Sequence, residues 1–477
     1  MEVNSKKEIS VLDNLPFLNE TEADRVLAES REGFEDKIIV LDDDPTGVQT
    51  VHDISVYTDW EEKTIKQGFE ESSQMFFILT NSRSFSVNET EKVHRLIAQR
   101  CAKIGRETGK KFLLISRGDS TLRGHYPLET EVLKESLEEE TKESFDGEII
   151  CPFFGEGGRY TFDNIHYVKE GEILIPAGLT EFAKDSSFGY HESYLPAYIQ
   201  EKTQGRYLQE DCICIDIHTL RNFQVDEIEE KLLLAKKFQK IVVNAVSYGD
   251  LKVFCAAFIR ALKKGRHYMV RSAAGFPKIL AGVAERPLLT KRELVQAGEM
   301  KGGIVLVGSH VRKTTQQLES LMKSDRELMF LEFNVNSCFR KGGLDAEVER
   351  VVGEAETLVE AGKTAVVYTS RKLLVPDTCD KDEILKASVE ISDAVTSIIG
   401  KFSVKPRFII AKGGITSSDV GTKALRVRKA WVMGQVKKGI PVWMTGEESK
   451  FPGMPYIIFP GNVGEDITLR EIVEELM

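Results

Sequence analysis

One recurring feature most restricts the fold of this chain. Short, unbroken apolar runs return along it, each separated from the next by a polar stretch of helical character. The first six are Ile38–Leu41, Met75–Leu79, Phe112–Ile115, Ile149–Cys151, Cys212–Ile217 and Ile241–Val246. They are rich in Ile, Val, Leu and Phe and mostly do not alternate with polar residues. Such runs suit strands covered on both faces, as in a parallel sheet between helices. Between two of them, Val93, Leu96, Ile97, Cys101 and Ile104 fall at helical spacing. A second series follows: Ile304–Val307, Leu328–Phe333, Thr364–Tyr368, Phe408–Ile410, Val442–Met444 and Tyr456–Phe459. One core rarely grows beyond ~250–300 residues, so a chain of 477 residues predicts two domains. The stretch from Pro287 to the Gly302-Gly303 pair separates the two series and is the expected junction. The expected organisation is a helical arm over 1–35, a first domain over 36–286, a junction over 287–303 and a second domain over 304–477. Each domain is expected to be α/β, a mainly parallel sheet flanked by helices.

Charge and cysteine usage exclude several classes. Asp and Glu outnumber Lys and Arg by 75 to 64, a net charge of −11, which argues against nonspecific nucleic-acid binding. No apolar run approaches the ~20 residues that span a bilayer, and residues 1–36 lack the apolar stretch of a signal peptide. A cytoplasmic protein without a membrane partner is expected. The seven cysteines show no CxxC spacing, so neither a disulfide framework nor a zinc site is indicated. Cys212 and Cys214 are expected as buried thiols on one face of a strand. The eight histidines form no HxxxH or HExxH pair. Gly362-Lys363-Thr364 mimics the end of a P-loop, but it precedes a strand and has Thr357 where a glycine is required; it reads as a helix-to-strand turn.

Function is expected where the strands end, because open α/β sheets bind ligands at the carboxyl ends of their strands. Ile38–Leu41 runs into Asp42-Asp43-Asp44-Pro45-Thr46-Gly47. Three adjacent carboxylates repel one another and need compensation. They could accept sugar hydroxyls, hold Mg²⁺ through water, or take a proton from an attacking hydroxyl. Met75–Leu79 runs into Thr80-Asn81-Ser82-Arg83. Phe112–Ile115 runs into Ser116-Arg117-Gly118-Asp119-Ser120-Thr121, with Arg123 and His125 following. Arginine there suits a carboxylate or phosphate; equally, Ser120 or Thr121 could cap a helix starting near Tyr126. Gly158-Arg159 adds another arginine beside flexible backbone. In the second half, Lys412-Gly413-Gly414-Ile415-Thr416-Ser417-Ser418 joins a strand to a helix through paired glycines, the pattern of a phosphate cradle. Gly308-Ser309-His310 and Gly461-Asn462-Val463-Gly464 lie where they could complete it.

Taken in this order, Asp43-Asp44-Pro45-Thr46-Gly47, Asp119-Ser120-Thr121-Leu122-Arg123-Gly124, Gly158-Arg159-Tyr160-Thr161, Gly413-Gly414-Ile415-Thr416-Ser417 and Pro460-Gly461-Asn462-Val463-Gly464 resemble the four-carbon acid sugar kinase family, formerly a domain of unknown function. The resemblance runs from about Lys37 to the end of the chain. It implies ATP-dependent phosphorylation of the terminal hydroxyl of threonate, erythronate or a 3-oxo-tetronate. It also implies an N-terminal sugar-acid domain, a C-terminal nucleotide domain and an active site in the cleft between them. Ser309, Gly413, Gly414, Ile415, Thr416 and Gly461 are then expected to touch ATP. Asp43, Asp44, Asp119, Ser120 and Arg123 are expected in the sugar-acid site. Arg123, helped by Arg83 or Arg159, would bind the substrate carboxylate, Asp44 or Asp119 would take the hydroxyl proton, and Mg²⁺ would bridge the phosphates of ATP. The expected partners are a small sugar acid and ATP, with a homodimer compatible with the chain. The alternatives are an ATP- or sugar-acid-binding regulator that does no chemistry and a Mg²⁺-dependent phosphatase built on Asp42–Asp44.

Overall fold

The computed structural model describes residues 5–296, 298–372, 381–461 and 463–477. The chain forms two compact units, Met1–Gly47 with Asp59–Ala284, and Val48–Thr58 with Glu285–Met477.

The first unit is built on a parallel sheet. Across it the strands run Ile213–Ile215, Gln239–Val243, Gly147–Cys151, Tyr268–Ser272, Phe112–Arg117, Lys37–Asp42 and Met75–Leu79. Ile38, Ile39 and Val40 are wholly buried, as unbroken apolar runs demand. The helix Val87–Thr108 packs on Leu128–Thr141, and Glu20–Arg31 packs on Tyr248–Lys263. Two of these helices start in capping boxes, Ser86 with Glu89 and Ser247 with Asp250. Lys37–Asp42 has Met75–Leu79 on one side and Phe112–Arg117 on the other, so the sheet's direction of winding reverses at this strand. A crevice opens at the carboxyl ends at such a point.

A smaller antiparallel sheet, ordered Lys7–Glu8, Ile173–Pro176, Ile165–Glu170 and Arg159–Phe162, was not expected. Three expectations for this unit are corrected. The N-terminal stretch holds the helix Glu20–Arg31, but it also contributes the strand Lys7–Glu8. The run Cys212–Ile217 is a strand only over Ile213–Ile215, because Asp216 caps a helix beginning at Ile217 by accepting from the Thr219 N–H; Cys212 and Cys214 are half-buried, not buried. The helix expected near Tyr126 starts at Leu128 with no side-chain cap, and the Thr121 hydroxyl bonds Asp119 instead.

In the second unit the order is Ile54–Tyr57, Lys429–Lys437, Ile440–Thr445, Pro455–Phe459, Ile409–Lys412, Ile304–Val307, Thr364–Thr369 and Leu328–Phe333. The last five strands pair in parallel; the first three join antiparallel, with bulges in Lys429–Lys437. Leu289 and Leu294, from the stretch read as a junction, are buried in this unit's core with Val305, Ile410 and Phe459. Ile304–Val307 lies between Thr364–Thr369 and Ile409–Lys412, so winding reverses here as well.

Candidate functional site

At the crevice of the first unit, the acidic triplet is neutralised by arginines from neighbouring strand ends. Arg83 grips Asp43 with two prongs, at 3.1 and 2.7 Å, and reaches Asp44 at 3.2 Å. Arg117 donates to Asp42 at 3.2 Å and lies 3.6 Å from Asp43. Bidentate arginine fixes geometry as well as charge. Burial works against the Arg83 charge, but Asp43, Asp44 and Asp119 outweigh it and raise Arg83 well above its ordinary value. The three acids are not equivalent. Burial pushes Asp42 up to about 8 despite Arg117. Its carboxyl lies against the Gly47 backbone, where a Cβ would come within 1.9 Å, so the glycine is required by close approach. Asp44 is lowered: burial opposes this, but Arg83 and the Thr46 hydroxyl and N–H prevail. Both Asp44 oxygens are taken, one by Thr46 at 2.8 and 2.6 Å and the other by Arg83.

Asp119 is disposed differently. Both its donors, the Thr121 hydroxyl and Arg123 Nε, sit on Oδ2, the latter at 2.7 Å, and Oδ1 has no partner among the described residues. Burial would raise this carboxyl, yet Arg83, Arg123 and Thr121 hold it far below the usual carboxylate range. Arg123 also faces Asp185 at 3.7 Å. Its guanidinium lies 5.1 Å from the Phe182 ring centroid, and that of Arg159 lies 5.7 Å from the same ring. Arg159 bonds the Gly157 carbonyl, has no carboxylate within 4.0 Å among the described residues, and leaves a buried Nε without a partner. Burial lowers its affinity for its proton, and Asp119 only partly offsets this. Ser120 is buried beside Asp119, and its carbonyl meets His166 Nε2 at 2.7 Å.

The structure thus gathers Asp43, Asp44 and Arg83 into one cluster and Asp119, Arg123 and Arg159 around Phe182. It adds residues that the sequence did not single out. Arg271 donates to Glu129 at 2.5 Å and to Ser116 at 2.9 Å, and packs against Gly118 and Gly124. Its signal was present, an arginine and a serine ending a short apolar run as Ser116 and Arg117 do, but Tyr268–Val270 lacks the Ile and Leu that mark the other runs. Phe182 and Asp185 carry no sequence signal at all.

The second unit's crevice gathers Ser309, Gly413, Gly414, Thr416 and Gly461. Gly308 lies against Thr416, where a Cβ would come within 2.3 Å of the hydroxyl. Gly413 has φ +131°, which only glycine adopts readily, and packs on Ser309. The Gly414–Asp419 helix follows at once. Ile415, expected at ATP, is 68% exposed on its first turn. Gly461 is tied to the neighbouring helix by Thr314, whose hydroxyl donates to its carbonyl at 3.3 Å; Asn462 lies outside the described residues. Two cations border this crevice. Arg371 donates to the Ser309 carbonyl at 2.8 Å, and Lys412 donates to the carbonyls of Pro460 and Gly461. Neither has a carboxylate within 4.0 Å among the described residues. Positive charge without a counter-ion, in a chain of net charge −11, suits a phosphate. Among the described residues no group of three or more His, Cys, Asp or Glu is arranged to hold a metal ion, and no helix is long and apolar enough to cross a membrane.

The comparisons agree with this division. Residues 38–280 match a family described as a sugar-binding N-terminal domain, and residues 304–469 match one described as a nucleotide-binding C-terminal domain. No curated protein matches the chain. Among solved structures, the fold is similar to that of a Salmonella typhimurium LT2 protein provisionally described as a tRNA synthase, with 17% identity, a TM-score of 0.62, and coverage of 91% of this chain and 98% of the other. It is also similar to a Haemophilus influenzae protein of the family DUF1537, with 17% identity, a TM-score of 0.57, and coverage of 92% and 100%. At that identity these structures speak for the fold alone. With one domain matched for sugar and the next for nucleotide, across the motifs that carry the resemblance, the chain belongs to the four-carbon acid sugar kinase family.

Proposed function

We propose that this protein uses ATP to phosphorylate the terminal hydroxyl of a four-carbon sugar acid: threonate, erythronate or a 3-oxo-tetronate. The observation that carries this reading is a complementary pair of unmet needs in the first unit. Arg159 is a half-buried cation with a buried, unpartnered Nε and no counter-ion among the described residues, and the nearby Asp119 keeps one oxygen without a donor among them. A sugar acid supplies both missing partners, a carboxylate for the arginine and a hydroxyl for the aspartate. Arg159, with Arg123, binds the carboxylate. Arg83 fixes Asp43 and Asp44, and Ser120 borders the substrate. Asp119 orients the terminal hydroxyl and accepts its proton as the new O–P bond forms and the bond to ADP breaks; Asp44, with both oxygens taken, is the second choice. Phosphoryl transfer asks mostly for positioning and charge stabilisation, so a weakly basic but well-aimed carboxylate suffices. Magnesium enters with the nucleotide as Mg·ATP, because the acids of the first unit are engaged by arginines and the crevice of the second is cationic. No observation in the first unit favours a phosphatase on Asp42–Asp44.

The test is ADP release from Mg·ATP in the presence of D- and L-threonate, D- and L-erythronate and 3-oxo-tetronates. Release that depends on one of these acids is expected. Silence across the panel with intact ADP binding would convert the reading into that of a nucleotide-binding regulator. Asp119→Asn should lower kcat by ~10²–10⁴-fold while leaving ADP affinity within about twofold. A near-normal kcat removes Asp119 as the proton acceptor.

A further inference from the structure

We propose that Lys412 is a phosphate ligand in its own right, an ammonium held on the carbonyls of Pro460 and Gly461 that gives its remaining N–H to the phosphate chain of the bound nucleotide. The inference rests on the nucleotide-binding reading of the second unit and extends it to a residue outside the glycine loop.

Lys412 is the last residue of Ile409–Lys412, opposite Val307 on one side and Phe459 on the other. The residues that follow those three strand ends are Gly413-Gly414, Gly308-Ser309 and Pro460-Gly461, the three loops of the crevice. Lys412 stands at their meeting point. The Gly308 N–H donates to its carbonyl at 3.2 Å, and the next N–H, that of Gly413, donates to Phe459 at 2.9 Å. Its ammonium lies 2.5 Å from the Pro460 carbonyl, 3.0 Å from that of Gly461 and 4.2 Å from the Phe459 ring centroid. The residue is 0% exposed. An ammonium has three donors and two are used.

The plainer account makes Lys412 a clamp that ties one strand end to the next loop. A clamp has no need of a full charge. Burying an ion is costly unless an opposite charge or a complete set of hydrogen bonds offsets it, and among the described residues Lys412 has neither. Among the described residues the charge that bears on it makes matters worse: Lys313 repels it, although Lys313 is itself paired to Asp466 at 3.0 Å. Burial and that repulsion push Lys412 down to about 7, the direction of a cation still lacking its counter-ion. A phosphate held between Ser309, Gly413 and Gly461 would supply it.

The test is calorimetric binding of ADP and of adenosine to the full chain. The first variant is Lys412→Gln, whose amide keeps two donors for the two carbonyls and removes the charge. ADP affinity should fall ~10- to 100-fold, the range for a lost charge-assisted hydrogen bond, with adenosine affinity within about twofold of wild type. Equal losses for ADP and adenosine, or no loss for either, would make Lys412 a clamp and overturn the proposal. The second variant, Lys412→Arg, keeps the charge and should retain most of the preference for ADP over adenosine; loss of that preference also overturns it. Failure of the wild type to bind ADP would instead overturn the nucleotide reading from which the proposal starts.

Discussion

Arginine is used in two ways at the carboxyl ends of the first sheet. Arg83, Arg117 and Arg271 face carboxylates at 2.5–3.2 Å and hold loops together. Arg159 faces none. It is stacked near Phe182 with a buried Nε left over, so its charge lowers the stability of the empty protein. That contrast fixes the sign of a double prediction. In Arg159→Met the aliphatic stem still packs on Phe182 while the unbalanced charge is gone. The urea midpoint should therefore hold or rise. The KM for the sugar acid should rise ~30-fold or more, since truncating one member of a buried charge pair costs ~2–5 kcal/mol, and the KM for ATP should stay within about twofold. A KM for the acid within about threefold of wild type would show that Arg159 is not its receptor. The sequence flagged Arg159 only as an arginine beside glycines. That it is the uncommitted one among several is invisible there, because commitment depends on which acids fold next to it: Arg83 meets Asp43 across 40 positions and Arg271 meets Glu129 across 142.

Strands buried on both faces were legible because their apolar runs are continuous, and Met75–Leu79 and Ile304–Val307 have the bounds that the runs suggest. Strands of other character were not. Lys429–Lys437 buries alternate residues and leaves Trp431 41% exposed, so no run forms. Ile54–Tyr57 is short and pairs antiparallel with it. The small antiparallel sheet around Arg159–Phe162 is punctuated by polar turns, yet it carries Arg159, the proposed receptor of the carboxylate. One of its buried groups, His166 on Ile165–Glu170, makes the sheet's attachment sensitive to pH. His166 meets the Ser120 carbonyl at 2.7 Å and Thr161 Oγ1 at 2.9 Å, and burial lowers it from its ordinary 6.5 to about 4. A histidine whose folded value lies below its unfolded one favours the neutral fold. The stability it contributes is complete above about 6.5 and is lost as pH falls towards about 4, ~3 kcal/mol in all. The urea midpoint of the wild type should drop over that window, and that of His166→Gln should drop less steeply. Parallel profiles would assign the acid sensitivity to other groups.

Each unit has its own set of parallel strands, its own reversal of winding and its own charged crevice, and the two crevices differ in kind. The first mixes arginines with aspartates and hydroxyls, chemistry for a small polyhydroxy acid. The second presents glycine backbone with Lys412 and Arg371 and, among the described residues, no acid paired to either, chemistry for phosphates. This division was legible as a whole because polar and glycine residues sit at the strand ends in both halves of the sequence. What the sequence left open was which charges are spent within the protein and which await a ligand. The division makes a prediction about where each ligand acts when the other is absent. ADP alone should slow amide exchange in peptides covering 308–312, 370–371, 412–418 and 460–461, by ordering loops whose N–H groups face its phosphates. A four-carbon acid alone should slow exchange over 42–47, 119–124, 157–162 and 182–185. Hydrogen-exchange mass spectrometry on the full chain reads both at once. Protection by the acid in the second set of loops but not the first, or by ADP in the first but not the second, would reverse the assignment of ligand to unit. Protection of every loop by either ligand alone would mean that neither ligand is confined to one unit's loops, and would also overturn the division.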